Sequence, residues 1–205
     1  MESLYPELFE LCASLEKEFN QIPEERKHIL KQIRLYIHQK QAEPIHLVSV
    51  CTHNSRRSHF GQVASKLAAA YYEKTNVYTY SAGTEATAVH PNTIAALKEL
   101  GFKVAISEKN ATNPSYEISF GNTLSTICFS KTIDHHNLPK QHFAAIMTCT
   151  DAEQNCPFLP GADIRIGTPY YDPKAHDQSI QVIAHYVSTL RLILLEWLFC
   201  FSDYK

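Results

Sequence analysis

"PIHLVSVCTHNSRRSHF", residues 44 to 60, begins as a short β-branched run, passes through a cysteine and small polar residues, and ends on two arginines and a serine. A stretch of helix formers follows, from about Ser58 to Lys74. The order strand, loop, helix sets Cys51 at the carboxyl end of a strand, where open α/β sheets bind their ligands. A helix N-terminus offers unpaired N–H groups and partial positive charge, which suit a tetrahedral oxyanion. Cys51 is expected there as a thiolate nucleophile. Arg57 can grip two oxyanion oxygens with its planar fork, and Ser58 can hydrogen-bond the sulfur. The plainer alternative is a buried thiol at a strand end beside surface arginines.

The same alternation continues outward. "NVYTYSAG" (76–83) and "FAAIMTC" (143–149) read as further strands. "HPNTIAALKELG" reads as a helix with proline in its first turn and Gly101 as its stop, and residues 178–202 as a long C-terminal helix. The expected architecture is α/β, a parallel sheet with helices on both faces. Residues 3–20 and 23–42 read as two amphipathic helices forming an N-terminal helical hairpin. The chain then divides into an N-terminal helical extension, 1–43, and an α/β domain, 44–205. Within the domain, an insertion near 106–142 holds two strands, "SYEISF" and "STICFSKTI", joined at "GNTL".

With 205 residues the chain can bury a full core, and its net charge of −2 gives no general attraction to nucleic acid or an anionic membrane. The N-terminus is acidic where a signal peptide needs a basic start. The apolar run "LILLEWLFCF" is broken by Glu196 and shorter than the roughly 20 residues of a membrane span. A cytoplasmic protein is expected, with its six cysteines mostly reduced. Cys12, Cys128 and Cys200 read as structural.

Two further segments carry candidate chemistry. "TPYYDPKAHD" offers Asp172, whose following proline would aim the carboxylate, although Asp-Pro is also a common turn. Tyr170 and Tyr171 could flank a pocket entrance. "MTCTDAEQNCP" offers Cys149 and Cys156, at a spacing unlike that of zinc knuckles. "DHH" (134–136) reads as a solvated loop, and no metal or other cofactor is expected.

Cys-x5-Arg-Ser directly after a hydrophobic strand resembles the active-site loop of the low-molecular-weight protein tyrosine phosphatases and of the thioredoxin-coupled arsenate reductases built on the same fold. "CTHNSRRS" is nearest the reductase version, through Cys51, Thr52, Asn54, Ser55, Arg57 and Ser58. "YSAGTE" and "HPNTIAALKELGF" resemble the segments that follow in both groups. The resemblance implies that residues 52 to 57 (Thr52, His53, Asn54, Ser55, Arg56 and Arg57) bind the oxyanion. It further implies that Asp172 is the general acid and that Cys51, Cys149 and Cys156 form a redox relay discharged by thioredoxin. If the last two thiols were inert, the same loop would hydrolyse phosphate monoesters through a phosphocysteine. A non-catalytic oxyanion-binding module is the third possibility.

Three residues depart from the pattern. His53 stands where glycine is usual, so backbone strain is expected there. Arg56 replaces a cysteine, and Lys174 replaces the aromatic that follows Asp-Pro in the phosphatases. Gln62 stands in place of a glutamate that binds potassium in some reductases, which argues against a bound potassium ion.

Overall fold

The computed structural model describes residues 3–40, 42–108, 112–155 and 159–202. Four strands form a parallel sheet in the order β2-β1-β6-β7: β1 (Ile45–Cys51), β2 (Val77–Gly83), β6 (Phe143–Met147) and β7 (Ala162–Gly167). The β-branched run forms β1, which lies inside the sheet between β2 and β6, and successive side chains of β1 serve opposite faces. Ile45 and Leu47 enter one core cluster with Ala144 and Ile146, whereas Val48 and Val50 enter another with Ala145 and Met147.

The first face is covered by α1 (Pro6–Glu16), α2 (Glu24–Lys40), α3 (Arg57–Tyr71), α4 (Pro91–Glu99) and α6 (Val182–Phe201). The second is covered by the short α5 (Thr150–Asn155) with Leu138 and Leu159. The N-terminal pair of helices lies against α6, and Leu8, Leu15, Leu30 and Ile37 join the same core as the sheet. Among the described residues α6 is long and apolar enough to cross a membrane, with its apolar stretch reaching back to Val182. Here it is the central helix of the first face, burying Tyr186, Leu190, Leu194 and Leu198.

The insertion proves to be a three-stranded antiparallel sheet, β3 (Lys103–Glu108), β4 (Ser115–Ser119) and β5 (Ser125–Cys128). The hairpin joined at "GNTL" is β4–β5; β3 pairs outside it. The chain start is tied to this sheet, with Tyr5 N donating to Phe120 O at 2.9 Å. Gly101, at φ 99°, ends α4 as expected, and Phe102 N closes the turn on Leu97 O at 3.1 Å.

β7 escaped the sequence reading because it is an edge strand whose burial alternates. Asp163 and Arg165 interrupt what would otherwise be an apolar run. Asp163 accepts from Lys40 Nζ at 2.8 Å, Tyr36 Oη at 3.1 Å and His142 Nδ1 at 3.3 Å, so the edge is fastened to α2.

α3 approaches β1 closely because Gly61 has no side chain. A Cβ there would lie 2.4 Å from Ser49 Oγ and 2.8 Å from Ser49 Cβ. Gly61→Ala is therefore expected to destabilise by about 1–3 kcal/mol through overpacking. Urea denaturation should show the loss, and Ser49→Gly in the same chain should recover most of it; no recovery would show that the contact is not the cause.

Candidate active site

β1 ends at Cys51, which pairs with Gly83 at the end of β2, and the chain then turns through residues 52–56 into α3. Each carbonyl from Cys51 to Ser55 is claimed from outside the turn. Thr84 N reaches Cys51 O at 3.3 Å, Glu85 N reaches Thr52 O at 2.8 Å, and His90 N reaches Ser55 O at 3.0 Å. Thr87 Oγ1 and Ser130 Oγ donate to His53 O at 3.0 and 3.2 Å, and His59 Nε2 reaches Asn54 O at 2.9 Å. The backbone N–H groups of residues 53–59 have no protein acceptor among the described residues. The turn thus presents a series of unclaimed amide donors at the start of a helix. Gly83 permits this closeness, since a Cβ there would stand 2.7 Å from both Asn54 N and Thr52 O.

The strained residue is Asn54, with φ 42°, and not His53. Asparagine tolerates the left-handed region better than most residues, and here its side chain braces the turn. Asn54 Oδ1 accepts from Lys131 N at 2.8 Å, which fixes the amide orientation, and Asn54 Nδ2 donates to Ser58 Oγ at 2.8 Å. The hydroxyl of Ser58 keeps its own hydrogen for Cys51 Sγ, 3.0 Å away. His53 carries no such burden: its ring is half exposed, with Nε2 3.6 Å from Glu85 Oε2.

Arg57 donates through Nη2 to the Asp172 carboxylate and through Nη1 to Tyr170 O at 3.0 Å. Asp172 also caps a 3-10 turn over Pro173–His176, accepting from Lys174 N at 3.0 Å. The Asp-Pro pair is therefore both a turn and a carboxylate held at the arginine. Cys149 Sγ lies 3.5 Å from Thr52 Oγ1, accepts from Ala152 N at 3.4 Å, and shares an apolar cluster with Cys51. Both thiols are unbridged. Cys156 lies outside the described residues.

Other expectations are corrected. The side chain of Arg56 is turned away from the loop, with Nε donating to Tyr186 Oη at 2.6 Å and Nη2 to Asp177 Oδ2 at 3.0 Å. Only its backbone remains for an oxyanion. Tyr170 does not flank an entrance: it is buried, with its hydroxyl on Glu196, while Tyr171 is 74% exposed. Cys12, Cys128 and Cys200 are buried as expected, and burial pushes the Cys128 thiol up to about 12. No group of three or more metal-ligating side chains gathers among the described residues.

Two supporting residues gave no signal in the sequence. Lys131 is 4% exposed and has no carboxylate partner among the described residues. Its Nζ donates to Phe129 O at 3.0 Å, 4.1 Å from the Phe129 ring centroid, and burial lowers its pKa to about 8. His59 is wholly buried, and burial, with the Lys131 charge, lowers it to about 3. A neutral ring fits its contacts: Nε2–H donates to Asn54 O, and bare Nδ1 accepts from Ser81 Oγ at 3.1 Å.

Comparison with known proteins gives relatives of one kind. Arsenate reductase 1 of Staphylococcus epidermidis is 29% identical over 130 residues, 63% of this chain and 79% of that protein. An arsenate reductase of Staphylococcus aureus is 33% identical over 111 residues, 54% of this chain and 65% of that protein, just under two thirds of its length. No protein-family model matches the chain. Among solved structures, a low-molecular-weight phosphotyrosine phosphatase from Vibrio cholerae aligns with a TM-score of 0.48 at 14% identity, covering 78% of this chain and 95% of that one. A thioredoxin-dependent arsenate reductase from Corynebacterium glutamicum aligns with a TM-score of 0.37 at 20% identity, covering 82% of this chain and 68% of that one. The relatives matched by sequence are arsenate reductases.

The depressed pKa of His59 has a pH signature. The unfolded chain takes up a proton at this residue below about pH 6.5, whereas the folded chain does not until about 3. The stability it contributes is present above the unfolded value and is lost as pH falls toward 3, with a slope of at most about 1.4 kcal/mol per pH unit. Urea denaturation between pH 7 and 4 should show a shallower decline in His59→Gln than in the wild type; equal slopes would mean that the ring is protonated in the folded chain.

Proposed function

We propose that this chain is a thiol-dependent arsenate reductase. The observation that carries the reading is the position of Cys149 Sγ, 3.5 Å from Thr52 in the turn whose amide groups are unclaimed. Arsenate is held by the N–H groups of residues 53–59 and by Arg57. The Cys51 thiolate attacks arsenic, and an oxygen leaves as water after protonation by Asp172. Cys149 then attacks Cys51 Sγ. A Cys51–Cys149 disulfide forms, and the electron pair of the sulfur–arsenic bond stays with arsenic, which leaves as arsenite. Cys156 attacks Cys149 in turn, moving the disulfide to Cys149 and Cys156 and freeing Cys51. Thioredoxin is the proposed reductant, and the cycle requires a reducing compartment such as the cytoplasm.

Phosphate-ester hydrolysis is the second reading, favoured by the contact of Asp172 with Arg57. An acid at that position can protonate an ester oxygen as well as an arsenate oxygen. Cys51 would take the phosphoryl group, and water would remove it.

Cys149→Ser separates the readings. Arsenate-dependent oxidation of thioredoxin should disappear in that variant while hydrolysis of an aryl phosphate persists, and Cys51→Ser should lose both. Unchanged arsenate turnover in Cys149→Ser would overturn the relay. Absence of both activities in the wild type, with arsenate still bound, would leave an oxyanion-binding module. Asp172→Asn should lower turnover by about 10²–10⁴-fold, the span of a general acid's contribution; a smaller effect would remove it from that role.

A further inference from the structure

An ion pair with a buried carboxylate joins α2 to α6 and, through Tyr170, to the segment that bears Asp172. Arg26 on α2 donates through Nε and Nη2 to the two oxygens of Glu196 on α6, at 2.7 and 2.8 Å. The Glu196 side chain is 4% exposed. Tyr170 Oη donates to the same carboxylate at 2.6 Å, and the Arg26 guanidinium lies 4.8 Å from the Tyr170 ring centroid. Burial and the Glu196 carboxylate raise the Tyr170 hydroxyl well above its usual range, so it stays a donor at any working pH. The carbonyl of Tyr170 accepts from Arg57 Nη1, and Asp172 lies two residues further on. One tyrosine thus touches α2 and α6 through its side chain and the site arginine through its backbone.

Buried ion pairs are a costly way to hold helices together, and apolar residues of similar volume often do as well or better. What this pair adds over an apolar contact is direction, because a bidentate carboxylate fixes where the Tyr170 hydroxyl must point. We infer that Arg26, Glu196 and Tyr170 are positioning residues for Asp172, which makes the N-terminal helix α2 a working part of the site. The inference rests on the reading of Asp172 as general acid.

Two variants test it. Tyr170→Phe removes one hydrogen bond and keeps the ring. Arg26→Met with Glu196→Met and Tyr170→Phe replaces the whole cluster by apolar side chains, so no lone charge is left buried. If the acid is mispositioned, hydrolysis of phenyl phosphate, whose leaving group needs the proton, should lose about tenfold in kcat at unchanged KM, a part of what a general acid supplies. Hydrolysis of p-nitrophenyl phosphate, whose leaving group needs the proton less, should fall less. Equal losses on both esters, or none, would overturn the inference. If the wild type turns over neither ester nor arsenate, it is the catalytic reading that fails, and amide exchange then decides positioning. Exchange that speeds up severalfold at residues 170–177 but not in α3 supports it; exchange that rises throughout, or nowhere, overturns it.

Discussion

The backbone of Asn54 is the constraint on which the rest of the site depends. A left-handed residue with no solvent exposure must be held, and here three neighbours hold it: the amide of Lys131 on its side-chain oxygen, Ser58 on its side-chain nitrogen, and His59 on its carbonyl. The first of these comes from the segment after the antiparallel sheet and the other two from α3. Removing any of them would leave a buried polar group unsatisfied, at a cost of about 1–3 kcal/mol. The turn is therefore braced by its own side-chain bonds, and in the proposed reaction its donors would need no rearrangement to meet developing charge.

Around that turn, polar contacts do what apolar packing cannot. Core side chains keep α3 and α6 on the sheet, but they carry no information about direction. Direction comes from the neutral ring of His59, bridging Asn54 and Ser81, and from Arg56, bridging Asp177 and Tyr186. The two adjacent arginines hold two aspartates of one segment, Arg57 taking Asp172 and Arg56 taking Asp177. The cysteine that the resemblance expects at position 56 could not bridge Asp177 and Tyr186.

The two inner strands, β1 and β6, were legible because both their faces are buried, which leaves a continuous, largely apolar run. β7 was not, since its exposed face carries Asp163 and Arg165, which leaves a short alternation in place of an apolar run. Cys51, Arg57 and Asp172 could be placed from local order, strand before helix and aspartate before proline. The residue bearing the strain could not, because His53 and Asn54 are both tolerant types and only the long-range bond from Lys131 separates them. Arg56 and Tyr170 were misread for a related reason: their partners, Tyr186 and Glu196, lie on α6, far along the chain.

The parallel sheet ends on one side at β7, and its fastening to α2 bears on solubility. An open strand edge is a template on which another chain can add its own strand. Asp163 collects bonds from Lys40, Tyr36 and His142, so a charged, hydrogen-bonded group stands at that border. An incoming strand would have to bring a carboxylate and an ammonium out of water as it docked. The contact that fastens α2 thus also makes strand addition at this edge costly.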